Sequence, residues 1–494
     1  MSSSNYRNIL KTTSLIGGSS LINILIGMVR TKFVAILLGP AGIGLMGVYS
    51  AITSMVSTIS SMGIGSSGVR QIAAAYGAGN QDQIARTVKT LRRTVWLTGL
   101  LGTAAMIIGC AFFSHFSFGT YDYALPIALL SITILLSNIA VGQSCILQGT
   151  RRIPDLAKVS IIGALNGTAI SIPCFYFWGE QGIVPSMIVT SLAVLATSWW
   201  FARRVAVKTV EMPWRESGAE AAQLLHFGVP LMLSALMTTL CNYLIRVLLI
   251  RQIGLDGIGI WQAAFSLSGI LVNFVLGAMS TDYYPRLTAV AENNNRVNDE
   301  VNAQTEIAML LAVPGLAATI IFAPLAITIF YSGKFDAAVD ILRWSVYGIF
   351  GRVISWPLGF VLLAKGMGKA FFCTEVFSDV FYVFAIWFCT CQWGLPGTGI
   401  AFLLLYVVYT IVIYIVVYAI SRTTWSRINT VHIIIFCILL AIIGIISTFV
   451  VNPWRQFPIN CLILAGISVY CLRCLSRKSG ITLQMLLIKI WPKS

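Results

Sequence analysis

The sequence predicts an all-α polytopic membrane protein of about fourteen transmembrane helices, arranged as two pseudo-symmetric six-helix bundles plus two C-terminal helices. Composition is the first reason. Of 494 residues, 57% are hydrophobic and only 10% charged, against roughly 45–50% and about 25% in soluble domains. Patterning is the second reason: apolar runs of about 20 residues, each able to cross a hydrocarbon core of about 30 Å as a helix, recur along almost the whole chain. The third is an internal repeat with a period near 215 residues.

Hydrophobicity windows give fourteen candidate spans, at about 12–38, 42–66, 94–116, 125–148, 159–178, 183–202, 227–250, 258–283, 304–330, 341–364, 371–391, 398–420, 431–451 and 457–475. No small-residue cleavage site follows the first apolar segment, so it is expected to be a retained span rather than a removed signal. Lys and Arg crowd the connections on the side of the N-terminus, in stretches such as RTVKTLRRT and TRRIPDLAK that read as short loops. The opposite connections hold only Arg251, Lys334 and Arg455. The positive-inside tendency then places both termini in the cytoplasm. It also explains the net charge of +16 better than nucleic-acid binding does. The tail ITLQMLLIKIWPKS alternates apolar residues with Lys489 and Lys493 and is expected to lie along the inner interface as an amphipathic segment.

The repeat begins next to the first span. LGPAGIGLMG returns 215 residues later as IGLDGIGIWQ, pairing Gly39, Gly42 and Gly44 with Gly254, Gly257 and Gly259. WGEQGI at Trp178 pairs with WGLPGT at Trp393 at the same offset, and Gly149 and Arg152 pair with Gly366 and Lys369 at 217. Two copies of a six-span unit therefore share one orientation, which implies an axis along the membrane normal and a cavity where the halves face each other. The expected organisation is an N-terminal six-helix lobe at 1–206, a cytoplasmic linker at 207–226 and a C-terminal six-helix lobe at 227–420. Residues 421–494 add two helices and the amphipathic cytoplasmic tail.

Polar groups on the spans form stripes. Ser19, Asn23, Gly27 and Arg30 share one face of the first span, whereas Lys32 points elsewhere and would snorkel to the outer interface. Thr239, Asn242 and Arg246 repeat this pattern on the seventh span, with Arg246 one residue from the repeat counterpart of Arg30. The second span carries Ser50, Thr53, Ser57 and Ser60; the eighth carries Gln262, Ser266, Gly269 and Asn273; the tenth carries Ser345, Gly348, Arg352 and Ser355. A charge at mid-membrane costs about 2.5–3.5 kcal/mol on the insertion scale, so such groups face a water-filled cavity or a partner. Arg30, Arg246 and Arg352, with Asn23, Asn242, Gln262 and Asn273, are therefore the candidate lining of a cationic lumen. Guanidinium groups hold carboxylate or phosphate through paired hydrogen bonds, which suits an anionic cargo. A structural ion pair with a buried acid is the competing reading for each arginine.

Glu375 and Asp379, one turn apart on the eleventh span, are the candidate ion-coupling pair, for a proton or a sodium ion. Structural pairing with Arg352 or a loop lysine competes with that role. Asp282 and Glu306 lie near cytoplasmic span ends and are expected to meet water or loop cations. Pro173, Pro185, Pro230, Pro314 and Pro357 interrupt backbone hydrogen bonding inside spans and permit kinks. The eleven cysteines fall almost entirely in apolar runs and are expected to be free thiols, with Cys471 and Cys474 a packing pair. Phosphate-loop, GxSxG and HExxH motifs are absent, the three histidines (His115, His226, His432) stand far apart, and outer loops are too short to hold acceptor sugars. The sequence thus predicts no enzyme, no cofactor and no metal site.

The stretches VRTKFVAILLGPAGIGLMGVYSAI, YPRLTAVAENNNRVNDEVNAQTEIAML and FYSGKFDAAVDILRWSVYG resemble the Wzx-type flippases, the polysaccharide or O-antigen translocases of the MOP superfamily, over roughly residues 8–420. The resemblance implies a MATE-like fold and movement of an undecaprenyl-pyrophosphate-linked oligosaccharide, an O-antigen or lipopolysaccharide repeat unit, from inner to outer leaflet of the bacterial cytoplasmic (inner) membrane. It also implies alternating access coupled to an ion gradient, and a polysaccharide polymerase and chain-length regulator as partners. Arg30 falls where the related lipid II flippases carry a first-span arginine. Ser57 and Ser266 stand near positions where those proteins carry further arginines, which argues against a peptidoglycan precursor as cargo. Fourteen spans exceed the twelve expected of most O-antigen translocases. The rival readings are a MATE-type cation antiporter, which needs buried acids that the first and seventh spans lack, and a non-transporting scaffold of a polysaccharide assembly complex.

Overall fold

A computed structural model describes residues 3–208, 210–449 and 453–479, with side chains from Gly18 onward at most positions. The amphipathic tail beyond 479 and the side chain of Asn273 lie outside the described residues. Hydrocarbon offers no hydrogen-bond partners, so every backbone group must be satisfied within its own segment, and long helices result. The described residues form fourteen α-helices and no strand: α1 (Ser3–Ser61), α2 (Ile64–Gly77), α3 (Gln81–Phe118), α4 (Ala124–Gly149), α5 (Ile153–Trp178), α6 (Ile183–Ala202), α7 (Trp214–Ala289), α8 (Asn294–Ile321), α9 (Ala323–Phe330), α10 (Ala338–Ala364), α11 (Gly368–Trp393), α12 (Gly397–Ser421), α13 (Arg427–Phe449) and α14 (Pro453–Ser479). Eleven stretches are long and apolar enough to cross a membrane, and three of them (Gly18–Ser61, Ile153–Ala202 and Trp214–Ile270) each overlap two of the predicted spans. Each of the fourteen predicted spans overlaps one of these eleven stretches.

The repeat is visible in the backbone. Two double spans, α1 and α7, each bend at one glycine, Gly39 (φ 66°, ψ −169°) and Gly254 (φ 72°, ψ −178°), in a left-handed conformation that a residue with a Cβ rarely adopts. Helices α5 and α11 both end on such a glycine, Gly179 (φ 54°, ψ −131°) and Gly394 (φ 59°, ψ −136°). After α4 and α10 the left-handed residues are Arg151 (φ 59°) and Gly366 (φ 70°). Those turns close alike, through Arg152 N–H to the Leu147 carbonyl and Met367 N–H to the Leu362 carbonyl, both 2.8 Å. The offset is therefore 215 here as well, and the expected pairing of Gly149 with Gly366 at 217 gives way to Arg151 with Gly366.

Three boundaries differ from expectation. RTVKTLRRT is not a loop but part of α3, which starts at Gln81 because the Asn80 side chain caps it by accepting from Gln83 N–H (3.0 Å). The second span ends at Ser61, and α2 restarts after Gly63, whose φ of 69° breaks the helix. The ninth span is cut after Ile321: Phe322 N–H closes on the Ala318 carbonyl (2.8 Å), and Pro324 opens α9 without needing a donor of its own.

Packing divides the chain inside α7 rather than in the expected linker, with one unit running to Gly259 and including Phe330–Ser332 and the other starting at Ile260. In the first unit, Ile64, Ile72, Leu91 and Ile146 from α2, α3 and α4 share a buried core. The stretch 207–226 is tied to α3. Lys89 donates to the Val210 carbonyl (2.5 Å), Arg93 to Ser217 Oγ (2.6 Å), and Arg86 pairs with Glu216 (2.7 Å) and Glu220 (3.0 Å). Helices α1 and α7 come into backbone contact at two glycines. A Cβ on Gly44 would strike the Leu255 carbonyl, and one on Gly259 would strike the Pro40 carbonyl. Because Leu255 and Gly259 are the repeat counterparts of Pro40 and Gly44, this contact is reciprocal.

In the second unit Tyr283, Leu287, Leu358, Val361 and Ile413 form the core, and Tyr283 donates to the Pro357 carbonyl (3.1 Å). Asp282 meets Arg286 (2.9 Å), as expected of an acid at a span end, and Arg286 also reaches Glu300 (2.9 Å). The additional helices α13 and α14 pack against α8, and α13 also meets α10. The eleven cysteines form no disulfide with one another.

The glycine crossing gives a stability test. Gly259→Ala should lower the thermal midpoint of the purified protein by several degrees, about 1–3 kcal/mol of overpacking. Gly466→Ala, where a Cβ meets nothing within 4 Å, should leave the midpoint unchanged or raise it. Equal midpoints for the two variants would show that the crossing tolerates a methyl group.

Candidate functional site

Arg30 sits in the first arm of α1, half-buried, and its Nε donates to Ser171 Oγ on α5 (3.0 Å). Ser171 in turn donates to the Gly167 carbonyl (2.5 Å), which leaves its oxygen lone pairs for the guanidinium. None of the ion pairs among the described residues involves Arg30. Among the described residues Arg30 is therefore not half of an ion pair.

Arg30 lines a cavity of about 380 Å³ whose other polar walls are hydroxyls: Ser50, Thr53, Ser54 and Ser57 from the second arm of α1, Thr133 and Ser137 from α4, and Thr190 and Ser191 from α6. Four of these eight hydroxyls, those of Thr53, Thr133, Ser137 and Ser191, donate to carbonyls of their own helices, as Thr53 does to Tyr49 (2.9 Å) and Ser137 to Ile134 (3.0 Å). Their lone pairs stay available. Thr190 Oγ1 is buried without any partner. A buried polar atom left unpaired in a native site calls for a ligand or an ordered water to satisfy it. One cation among hydroxyls, with no acid on the walls, suits a ligand that is both anionic and rich in hydroxyls.

The rest of the first-span stripe goes elsewhere. Asn23 donates to Ser160 Oγ on α5 (2.7 Å) and does not line the Arg30 cavity. Lys32 donates to the Tyr331 carbonyl (2.5 Å), a fixed tether rather than a free snorkelling cation. On α7 the stripe turns back on its own helix: Arg246 donates to the Asn242 carbonyl (3.1 Å), and Asn242 to the Thr238 carbonyl (2.8 Å). Gln262 likewise donates to Ser266 one turn on (3.2 Å).

Arg352 lines a different cavity, of about 310 Å³, with Glu375, Asp379, Ser355, Ser378 and Tyr409. Both predicted carboxylates thus face one space. Tyr409 donates to Glu375 Oε1 (2.9 Å). Arg352 shares this cavity with Glu375 without forming an ion pair with it within 4 Å. An arginine, two carboxylates and a phenol in one cavity can exchange a proton or a monovalent cation against the fixed positive charge.

The residue pattern did not single out Ser171, Thr190 or Tyr409. Each is one of several hydroxyl-bearing residues on its helix, and nothing in the pattern sets it apart from the others.

Residues 9–291 match the family described as polysaccharide biosynthesis protein. The lipid III flippases of Escherichia coli (strain K12) and Shigella flexneri are each 25% identical over 413 residues, covering 81% of this chain and 96% of theirs. Among solved structures, the lipid II flippase MurJ in an inward closed conformation has a TM-score of 0.71 at 12% identity, covering 94% of this chain and 99% of that one. A multidrug resistance MATE family transporter of the MOP superfamily in an inward-facing conformation has a TM-score of 0.64 at 16% identity, covering 81% and 96%. These names describe flippases and transporters, not enzymes, and the fold is MATE-like. The family match spans more than half of the sequence, and the protein belongs to the polysaccharide biosynthesis protein family.

Proposed function

We propose that the protein is a flippase for a lipid-linked oligosaccharide, with the Arg30 cavity holding the phosphate linkage and the first sugar hydroxyls. The observation that carries this reading is the guanidinium of Arg30, oriented by Ser171 and free of any carboxylate, above walls of serine and threonine. Such a site offers charge-assisted, two-pronged binding to a phosphate and neutral donors and acceptors to a sugar. Similarity to the lipid III flippases over 81% of the chain supports the same class of cargo. The lipid carrier is undecaprenyl pyrophosphate and the saccharide an O-antigen or related repeat unit. Serines at 57 and 266 favour such a cargo over a peptidoglycan precursor.

The membrane is the bacterial inner membrane with both termini cytoplasmic, a reading supported by the skewed distribution of Lys and Arg. Alternating access would expose the Arg30 cavity first to the cytoplasm and then to the opposite side, while the lipid tail stays in hydrocarbon. Arg246 and Arg352 would offer further positive charge along the path. Glu375 and Asp379, with Tyr409 on the same cavity, would reset the cycle by exchanging a proton or sodium ion. A polymerase and a chain-length regulator would receive the product. The MATE-type reading draws on the second cavity, where Tyr406, Tyr409, Trp356 and Phe360 stand beside two acids as an organic-cation site requires. Arg352 on the same wall opposes it.

In a strain lacking the chromosomal copy, wild type should restore surface polysaccharide. At equal membrane abundance Arg30→Ala and Arg246→Ala should reduce it at least about tenfold, the loss of one charged hydrogen-bonded contact. Arg246→Lys should recover part of the activity, and lipid-linked saccharide should accumulate in the alanine strains. Full restoration by Arg30→Ala would remove the cationic cavity from the mechanism.

Coupling has its own test in proteoliposomes. An imposed proton or sodium gradient should accelerate lipid-linked saccharide transfer by wild type, and Glu375→Gln or Asp379→Asn should abolish that stimulation while leaving cargo binding intact. Stimulation that survives both substitutions would place coupling elsewhere.

A further inference from the structure

We propose that the groove between α3, α4 and α6 binds an anionic glycerophospholipid of the surrounding leaflet, its phosphate on Arg92 and Arg203 and its acyl chain between Trp96 and Trp199. The groove encloses about 740 Å³. Its floor is aliphatic, with Leu135, Ile139, Leu192 and Leu195, and its two tryptophans are half exposed, at 50% and 51%. Arg92 lies just before the predicted third span, and Arg203 directly follows the last residue of α6. An apolar trough with aromatic walls and a basic mouth at the membrane surface matches a lipid in both shape and polarity.

Two observations separate this groove from an ordinary gap between helices. Neighbouring cations on α3 are committed, since Arg86 pairs with Glu216 and Glu220 and Arg93 donates to Ser217. Arg92 and Arg203 make no ion pair among the described residues, and Arg203 lies over Trp200 (3.9 Å) and Trp199 (5.2 Å). At the side of the groove stands Gln143, only 5% exposed, with a buried Oε1 that has no partner. That acceptor asks for a donor, which a headgroup hydroxyl of glycerol type supplies.

The internal repeat shows what covers the equivalent surface. Leu135, Ile139, Leu192 and Trp199 stand 215 residues before Phe350, Ile354, Val407 and Tyr414, which line a groove of about 400 Å³ in the second unit. There α13 supplies a wall through Ile433, Cys437 and Leu440, with Trp425 from the segment just before it, and no cation is present in the lining. The second repeat covers this face with a helix of its own. The first repeat has no such helix and adds arginines instead, so a mobile amphiphile with an anionic head takes the place that α13 fills. The inference concerns a bound membrane lipid and does not rest on the transported cargo.

Tryptophan quenching tests it on the purified full-length protein in phosphatidylcholine vesicles containing brominated phosphatidylglycerol or brominated phosphatidylcholine. Brominated phosphatidylglycerol should quench at a mole fraction lower by about fivefold or more. The preference should vanish in Arg92→Gln/Arg203→Gln, persist in Arg92→Lys/Arg203→Lys, and be unreadable in Trp96→Phe/Trp199→Phe. Gln143→Leu should reduce the preference for phosphatidylglycerol over phosphatidic acid, which lacks headgroup hydroxyls. Equal quenching by the two brominated lipids overturns the proposal, as does an unchanged preference in the glutamine pair. Displacement of phosphatidylglycerol by an equimolar undecaprenyl pyrophosphate would also overturn it, since the groove would then be a cargo site.

Discussion

Two glycines set how closely α1 and α7 approach, and much of the first unit follows from that approach. Inside a bilayer, helices gain no hydrophobic free energy from meeting, so they associate where small residues let backbones come into contact. Gly44 lies against the Leu255 carbonyl and Gly259 against the Pro40 carbonyl, each glycine next to the bend of the opposite helix. The bends are at Gly39 and Gly254, where a positive φ redirects each double span without breaking it. Arg30 and Arg246 both lie within about three turns before these bends. The kink therefore sends the arginine-bearing arm and the serine-bearing arm of α1 to the same cavity.

The two repeats keep one backbone and carry different chemistry. Positions 215 apart show this plainly: Ser137 corresponds to Arg352, and Ser160 to Glu375. In the first unit these are hydroxyls, one lining the Arg30 cavity and the other accepting from Asn23. In the second they are charges facing one cavity with Asp379 and Tyr409. Duplicated helices place the same positions inward, and the side chain at each then decides whether the space suits a hydroxyl-rich anion or an exchangeable ion. The same divergence is seen on the outer face, where the first repeat has cations and tryptophans and the second has α13.

Charge near the membrane surface is also sorted by partner. The ion pairs from Arg86 to Glu216 and Glu220 hold the start of α7 to α3, and exposed pairs of this kind contribute little singly but more as a connected set with Arg93 and Lys89. Asn80 and Asn293 cap α3 and α8 in the same manner, so the starts of these two helices are specified by local hydrogen bonds and not by burial.

Spans, bends and copies were legible in one dimension. Run length alone identifies a segment that crosses hydrocarbon, the glycines at 39 and 254 mark bends because a left-handed residue tolerates little else, and the 215-residue period reports a duplicated backbone. The register at the third motif was not legible, because the left-handed residue after α4 is an arginine and the glycine two positions earlier drew the alignment. Partner choice was legible least. A helical stripe gives a direction about its own axis but does not say which neighbour stands there, and here both Asn23 and Arg30 meet serines of α5, Ser160 and Ser171. Composition thus determined that this chain is a duplicated helical membrane protein with charge inside it. Only the packing of α1, α4, α5 and α6 decided that Arg30 meets hydroxyls and no acid, because burial in hydrocarbon makes each polar group depend on a partner supplied by a different helix.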